Sequence, residues 1–139
     1  MIQLKDVRHS YQRPGGETLT VLDGVDLTIE KGDLVSIVGP SGGGKTTLLN
    51  IIGCLLRPTS GEVIIDGKPV QSMTEKELAH TRNLKIGFIF QGSHLIPTLT
   101  VLENIMLPVW LGKGVQSRGY AARARELAER FGLSDRLNH

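Results

Sequence analysis

Three features of the 139-residue chain predict an α/β fold. Ile2 to Tyr11 reads as a strand, and apolar and polar residues alternate between Thr18 and Glu30, as in half-buried antiparallel strands. A β-type run, Leu34 to Val38, leads through a glycine-rich loop into residues with helical spacing. In the last third, Ala121, Ala124, Leu127, Ala128 and Phe131 recur at helical intervals.

Length and composition fit one ordinary globular domain. The chain is 40% hydrophobic and 22% charged, which is not a disordered composition. Its net charge of +2 is too small to argue for nucleic acid, and basic residues alternate with acids, as in Arg123-Ala124-Arg125-Glu126. No apolar run approaches the roughly 18 residues of a membrane span, and Met1-Ile2-Gln3-Leu4-Lys5 does not read as a signal peptide. The single cysteine, Cys54, excludes an internal disulfide and suits a reducing cytosol. It falls in the helix after the glycine loop, where it reads as a small buried apolar residue.

In chain order, Ile2 to Tyr11 reads as a strand, and Gln12 to Glu17, with Pro14-Gly15-Gly16, as a loop. Thr18 to Glu30 is broken by Asp23-Gly24, so a hairpin or a bulged pair fits. Within it Asp26 to Glu30 alternates cleanly, and Lys31-Gly32-Asp33 turns into the Leu34–Val38 strand. A helix follows from Lys45, with Leu48, Leu49, Ile52, Leu55 and Leu56 on one broad face. Pro58-Thr59-Ser60-Gly61 ends it, and Glu62 to Gly67 is a strand closed by Asp-Gly. Thr74-Glu75-Lys76-Glu77 has capping-box spacing and opens a short helix to about Arg82. Ile86 to Phe90 reads as a nearly continuous apolar strand covered on both faces. Thr100-Val101-Leu102-Glu103 is a second capping box, starting a helix that Pro108 should disturb or end. From about Ser117 a last helix runs to a stop at Gly132.

The loop Gly39-Pro40-Ser41-Gly42-Gly43-Gly44-Lys45-Thr46 matches G-x-x-x-x-G-K-[ST] at every fixed position. Phosphates are multiply anionic, and glycines let backbone N–H groups turn inward at φ values that other residues avoid. Strand, loop and helix occur in the order this chemistry needs, because the helix N-terminus adds its positive dipole end. Lys45 would reach the β/γ-phosphates and the Thr46 hydroxyl would ligate Mg²⁺. The chain is therefore expected to bind nucleotide phosphates.

Four landmarks in order resemble the ATP-binding subunit of an ABC transporter. They are Tyr11 ahead of Val21-Leu22-Asp23-Gly24-Val25, the glycine loop with Lys45, Arg57-Pro58-Thr59-Ser60-Gly61-Glu62 before Ile65-Asp66-Gly67, and Gln91 closing Gly87-Phe88-Ile89-Phe90-Gln91. The resemblance covers Met1 to His139, and implies an incomplete P-loop fold of ABC ATPase type, with an N-terminal antiparallel β part and the start of a helical subdomain. It implies one N-terminal portion of an ATP-binding domain, divided into residues 1–91 (β part and P-loop core) and 92–139 (the segment after Gln91 and the start of the helical subdomain). Ile86 to Gln91 followed by His94 to Asn104 is similar to the branch serving lipoprotein release and macrolide efflux.

Site roles follow from that resemblance. Tyr11 would stack on adenine, although an ordinary strand tyrosine also fits. Gly39, Pro40, Ser41, Gly42, Gly43, Gly44, Lys45, Thr46 and Thr47 would surround the phosphates of ATP. Gly43 stands where the family commonly has serine, a change that leaves the backbone donors intact. Lys45 and Gln91 are the implied catalytic residues, with Thr46 and Gln91 toward Mg²⁺. The implied partners are transmembrane permease subunits and a second ATP-binding subunit, not nucleic acid, with the protein on the cytoplasmic face of the inner membrane. Residues 92–104, with Leu95, Ile96, Pro97 and Leu99, fit a docking surface or simple core packing.

No Leu-Ser-Gly-Gly-Gln signature, no apolar strand ending in Asp-Glu and no later switch histidine occur between Met1 and His139. Leu133 to His139 resembles the lead-in to the signature, which implies a fragment or a truncated product. The isolated chain is then expected to bind Mg-ATP weakly without turnover, as a nucleotide-binding module. Its two apolar core strands should have bare polar edges and uncovered apolar faces, giving marginal solubility, or a rearranged or oligomeric state. A P-loop small-molecule kinase is disfavoured by Tyr11 and the Gln91 segment, and a GTPase because Asn83-Leu84-Lys85-Ile86 is no Asn-Lys-x-Asp guanine reader.

Overall fold

The computed structural model describes residues 1–113 and 118–139. They form two compact units, Met1–Ile86 and Gly87–His139.

In the first unit, β1 (Ile2–Gln12), β2 (Thr18–Ile29), β3 (Ser60–Ile65) and β4 (Lys68–Pro69) make an antiparallel sheet in the order β2-β1-β3-β4. Thr18 to Ile29 is one strand, so the bulged pair is the observed alternative, with register shifts against β1 between Leu4 and Ser10. The core holds Leu4, Val7, Leu22, Val63 and Ile65 from the sheet, with Leu48 and Ile51 from α1 (Lys45–Ile52). Val7, Val63 and Ile51 are completely buried. Each such side chain contributes about 1.5–3 kcal/mol over its exposed state.

Residues just before β3 are sewn to β1. The Thr59 amide donates to the Arg8 carbonyl at 2.9 Å, and the Ser10 amide to Thr59 Oγ1 at 3.1 Å. Gly61, at φ 85°, lies so close to β1 that a Cβ would sit 2.2 Å from the Asp6 carbonyl oxygen. Only glycine fits there. Asp66 and Gly67, at φ 48° and 77°, join β3 to β4 with the two positive φ values of a two-residue type I′ hairpin. The Asp66 carboxylate receives the Met1 ammonium at 3.2 Å and the Lys85 ammonium, which together hold its carboxyl below the usual range, Lys85 foremost. The first capping box forms as read: the Glu77 amide donates to Thr74 Oγ1 at 3.3 Å, and the Thr74 amide to Glu77 Oε2 at 2.7 Å. It opens α2 (Glu75–Lys85), which runs three residues beyond the expected Arg82.

Several local expectations need correction. Leu34–Val38 and Ile86–Phe90 are not strands among the described residues, and Leu34 and Ile89 are fully exposed. An extended run becomes a strand only by pairing, and no described strand is hydrogen-bonded to either. Ile37 and Ile86 nevertheless pack on the core. Helix α1 ends at Ile52, so its buried face is Thr47, Leu48 and Ile51, while Leu49 and Leu55 are exposed. Cys54 is buried but lies past the helix end at φ 57°, where its amide donates to the Ile51 carbonyl and the Leu55 amide to the Asn50 carbonyl. That is a Schellman stop made without glycine at the left-handed position.

In the second unit, α3 (Val101–Lys113) starts with the second capping box, where the Glu103 amide donates to Thr100 Oγ1 at 3.2 Å. Pro108 does not end it. A proline removes one rung, and the ladder on both sides carries the helix through. The expected start of the last helix, Ser117, lies outside the described residues. α4 (Arg118–Arg130) buries Ala124 and Ala128, whereas Phe131 is past its end and exposed. Gly132, at φ 68°, stops it with a second Schellman pair, Gly132 N–H to the Glu129 carbonyl and Leu133 N–H to the Ala128 carbonyl.

Candidate phosphate-binding site

The glycine loop enters α1 through Gly44, which occupies the N-cap position at φ 80° and provides no capping side chain. The Leu48 amide takes the Gly44 carbonyl at 2.8 Å, so the first amides of the helix are left without an intrahelical acceptor. They point out of the helix end, where the dipole is positive. No acidic residue occupies the first turn to neutralise it. This is a donor set for an anion.

The sheet holds the loop at that place. A Cβ on Gly44 would lie 2.9 Å from both Leu22 Cδ2 and the Val21 carbonyl, so β2 is the floor against which the loop turns. The loop also closes on itself, with the Gly43 amide donating to the Pro40 carbonyl at 3.1 Å. A Cβ on Gly43 would meet that same oxygen at 3.1 Å, so glycine here relieves a tight contact. The Lys45 ammonium donates to the carbonyls of Gly39 at 3.0 Å and Pro40 at 2.6 Å, arching over the loop. Phosphate oxygens would exchange these neutral acceptors for charged ones, which bind an ammonium more strongly.

The two threonines differ. Thr46 is exposed at the loop mouth, free of the core, whereas Thr47 is buried and its Oγ1 lies 3.4 Å from the Tyr11 hydroxyl. Tyr11 is thus brought beside the first turn of α1 while its ring stays 41% exposed. Ser41 and Gly42 are exposed in the loop. Gln91 belongs to the second unit, where it is exposed after Phe90. Among the described residues no group of three or more His, Cys, Asp and Glu side chains could hold a metal.

Four contributors stand in the sequence only as members of landmark segments, without these roles. Leu22 and Val21 form the floor under Gly44. Arg57 reaches the Val70 carbonyl at 3.1 Å, the Met73 carbonyl at 2.6 Å and Glu75 Oε1 at 3.0 Å, tying the end of the α1 region to the start of α2. In the second unit, Asn104 Oδ1 accepts from the Ile96 amide at 2.9 Å and its Nδ2 donates to the carbonyls of Ile96, Leu99 and Thr100. That one side chain fixes the exposed apolar loop carrying Leu95 and Ile96. Only the asparagine four residues after a capping threonine hinted at it.

A family model described as ABC transporter matches residues 22–139. The chain is 49% identical, over its whole length, to the ABC transporter ATP-binding protein YknY of Bacillus subtilis, covering 60% of that protein. It is equally identical to the lipoprotein-releasing system ATP-binding protein LolD of Bacteroides thetaiotaomicron, covering 61% of it. The macrolide export ATP-binding/permease protein MacB of Syntrophobacter fumaroxidans is 44% identical, the chain covering 19% of it. Among solved structures, the dimeric bacterial ABC transporter cassette MJ0796 matches with a TM-score of 0.88 at 44% identity, over all of this chain and 61% of that one. A second structure of MJ0796, in a post-hydrolysis state with ADP and Pi, matches equally well. The chain thus spans about three-fifths of the length of these ATP-binding relatives.

Proposed function

The chain belongs to the ABC transporter family of ATP-binding proteins, and on that premise we propose that it is the nucleotide-binding N-terminal portion of a subunit that powers transport across a membrane by binding and hydrolysing ATP. The observation that carries this reading is the uncapped start of α1 at Gly44, with Lys45 arched over the same loop. A triphosphate satisfies those donors together. Gly39 to Thr47 supply the phosphate cradle, Tyr11 the apolar face for adenine, and Thr46 with Gln91 the protein oxygens toward Mg²⁺. When bound, Mg²⁺ neutralises charge developing on the phosphates. Lys45 does the same from the protein side and is read as catalytic, and Gln91 is read as catalytic on the family resemblance.

Residues 1–91 are read as the β part and P-loop core, and residues 92–139 as the lead into the helical subdomain. The Leu95–Leu99 loop, held by Asn104, is read as the surface that meets transmembrane permease subunits. A second ATP-binding subunit is the other partner, as the dimeric state of MJ0796 supports. Among the described residues no helix is long and apolar enough to cross a membrane. The protein is read as peripheral on the cytoplasmic face of the inner membrane, with the permease supplying the span. Lipoprotein release or macrolide-type export is the branch favoured by the relatives.

Titration of Mg-ATP into the intact subunit, followed by phosphate release, tests the reading. Lys45→Ala should abolish turnover and weaken binding, and unchanged turnover would refute the assignment. Residues 1–139 by themselves should hold nucleotide without sustained phosphate release. Release from that fragment that depends on Lys45 would overturn this part.

A further inference from the structure

His9, on β1, is 7% exposed, and among the described residues neither Nδ1 nor Nε2 has a hydrogen-bond partner. An imidazole always carries at least one N–H, so burying both nitrogens unpaired is unfavourable compared with an apolar side chain of the same size. Hydrogen bonding by the nitrogens therefore does not explain an aromatic ring here. What the ring does contact is Tyr11, two residues further along the strand. The centroids are 4.7 Å apart and the planes meet at 78°. Edge-to-face geometry is a favoured one for aromatic pairs, because a polarised edge meets a π face.

The Tyr11 hydroxyl also lies 3.4 Å from Thr47 Oγ1. That distance is long for an O–H···O bond, so it fixes the ring only weakly. The edge-to-face contact with His9 restrains the ring orientation as well. His9 also pairs across the sheet with Leu22, the residue that lies under Gly44. The same strand pair thus supports both the exposed tyrosine ring and the glycine loop.

We propose that His9 is a positioning residue, setting the Tyr11 ring for a nucleobase to stack on it. This rests on the reading of Tyr11 as the adenine platform. A base is then met by a ring already in place, so less orientational freedom is lost on binding. His9 acts only on the base-dependent part of the affinity, not on the phosphate cradle.

The test is calorimetric titration of the intact subunit with ATP and, separately, with inorganic tripolyphosphate, which lacks the base. His9→Leu should weaken ATP by about two- to tenfold, the range of one aromatic pair, and leave tripolyphosphate within about twofold. His9→Phe, which restores a ring edge, should recover ATP affinity to near wild type. If His9→Leu does not fold, His9→Gln takes its place with the same expectation. Equal weakening of both ligands would show that His9 merely supports the loop, and an unchanged ATP affinity would also overturn the proposal. Tyr11→Leu separates the two readings. If it weakens ATP but His9→Leu does not, only the role of His9 fails. If Tyr11→Leu leaves ATP affinity unchanged, the platform reading fails and the proposal with it.

Discussion

Gly44→Ala places a methyl group where Leu22 Cδ2 and the Val21 carbonyl oxygen stand 2.9 Å away, on a residue at φ 80°. Two penalties follow. The left-handed backbone costs an L-residue about 1–2 kcal/mol. Displacing a strand carbonyl and a buried leucine adds about 1–3 kcal/mol, the usual range for overpacking. Gly42 is the internal control, because it has nearly the same φ, 78°, and nothing within 4 Å of an added Cβ. Gly42→Ala should therefore cost only the backbone part, about 1–2 kcal/mol. The comparison removes the φ contribution and leaves the close approach to β2.

Urea unfolding of the intact subunit, followed by circular dichroism, reads the difference. With a slope of about 2 kcal/mol per molar urea, Gly44→Ala should move the midpoint down by an extra 0.5–1.5 M, roughly, relative to Gly42→Ala. Equal midpoints for the two variants would refute the claim that β2 is the floor of the loop. Binding gives a second readout. Because Leu22 must move, Gly44→Ala should weaken tripolyphosphate even in the folded protein.

Three further outcomes are expected. Arg57→Ala leaves the Met73 carbonyl without its Arg57 donor and the Val70 carbonyl with the Met73 amide alone, and should destabilise the protein by about 1–3 kcal/mol; a change below about 0.5 kcal/mol, read from urea unfolding, would contradict this. Asn104→Ala should speed amide exchange at Ile96 by at least about tenfold, since it removes the 2.9 Å acceptor; unchanged protection measured by NMR would mean the loop is held otherwise. Glu77 and Glu103 accept from the backbone amides of Thr74 and Thr100, which foremost hold their carboxyls below the usual range, as Lys85 does for Asp66. Folded values lie below unfolded ones, so this stability is fully present above about pH 4.3 and is lost as the pH falls through the lower folded values. Urea midpoints between pH 6 and pH 3 should fall less steeply in the Glu77→Gln/Glu103→Gln double variant, which removes the two titrating carboxyls, and parallel curves would count against the capping boxes as the source.

The elements legible from sequence are those whose determinants are local. Thr74 with Glu77, Thr100 with Glu103, Asp66-Gly67 and Gly132 each satisfy backbone groups within a few residues, and each forms where it was read. The misread elements depend on distant partners. Leu34–Val38 and Ile86–Phe90 have strand composition, but a strand exists through its neighbours, and composition does not supply them. Helix α1 was read too long because Leu49, Leu55 and Leu56 keep helical spacing, whereas the chain reverses at Cys54 through a left-handed turn that a cysteine does not advertise. At the site, the glycine loop was legible as a motif. Its floor was not, because Val21 and Leu22 are ordinary strand residues until the loop is seen packed on them.

That floor explains why an antiparallel sheet precedes a phosphate loop in this chain. A glycine-rich loop pays for its backbone freedom in entropy, so its donors converge only if something outside the loop restricts it. Here Gly44 is pressed against β2, and β2 is registered on β1 by the bulged pairing between Leu4 and Ser10. β1 is in turn locked to β3 through Gly61, where no side chain fits, and through Thr59. Tyr11 leaves the same strand beside Thr47. The amides of the glycine loop and the Tyr11 ring are therefore positioned by one sheet. A substitution at Gly61, remote from the loop in sequence and devoid of chemistry, should consequently weaken nucleotide binding by disturbing β1.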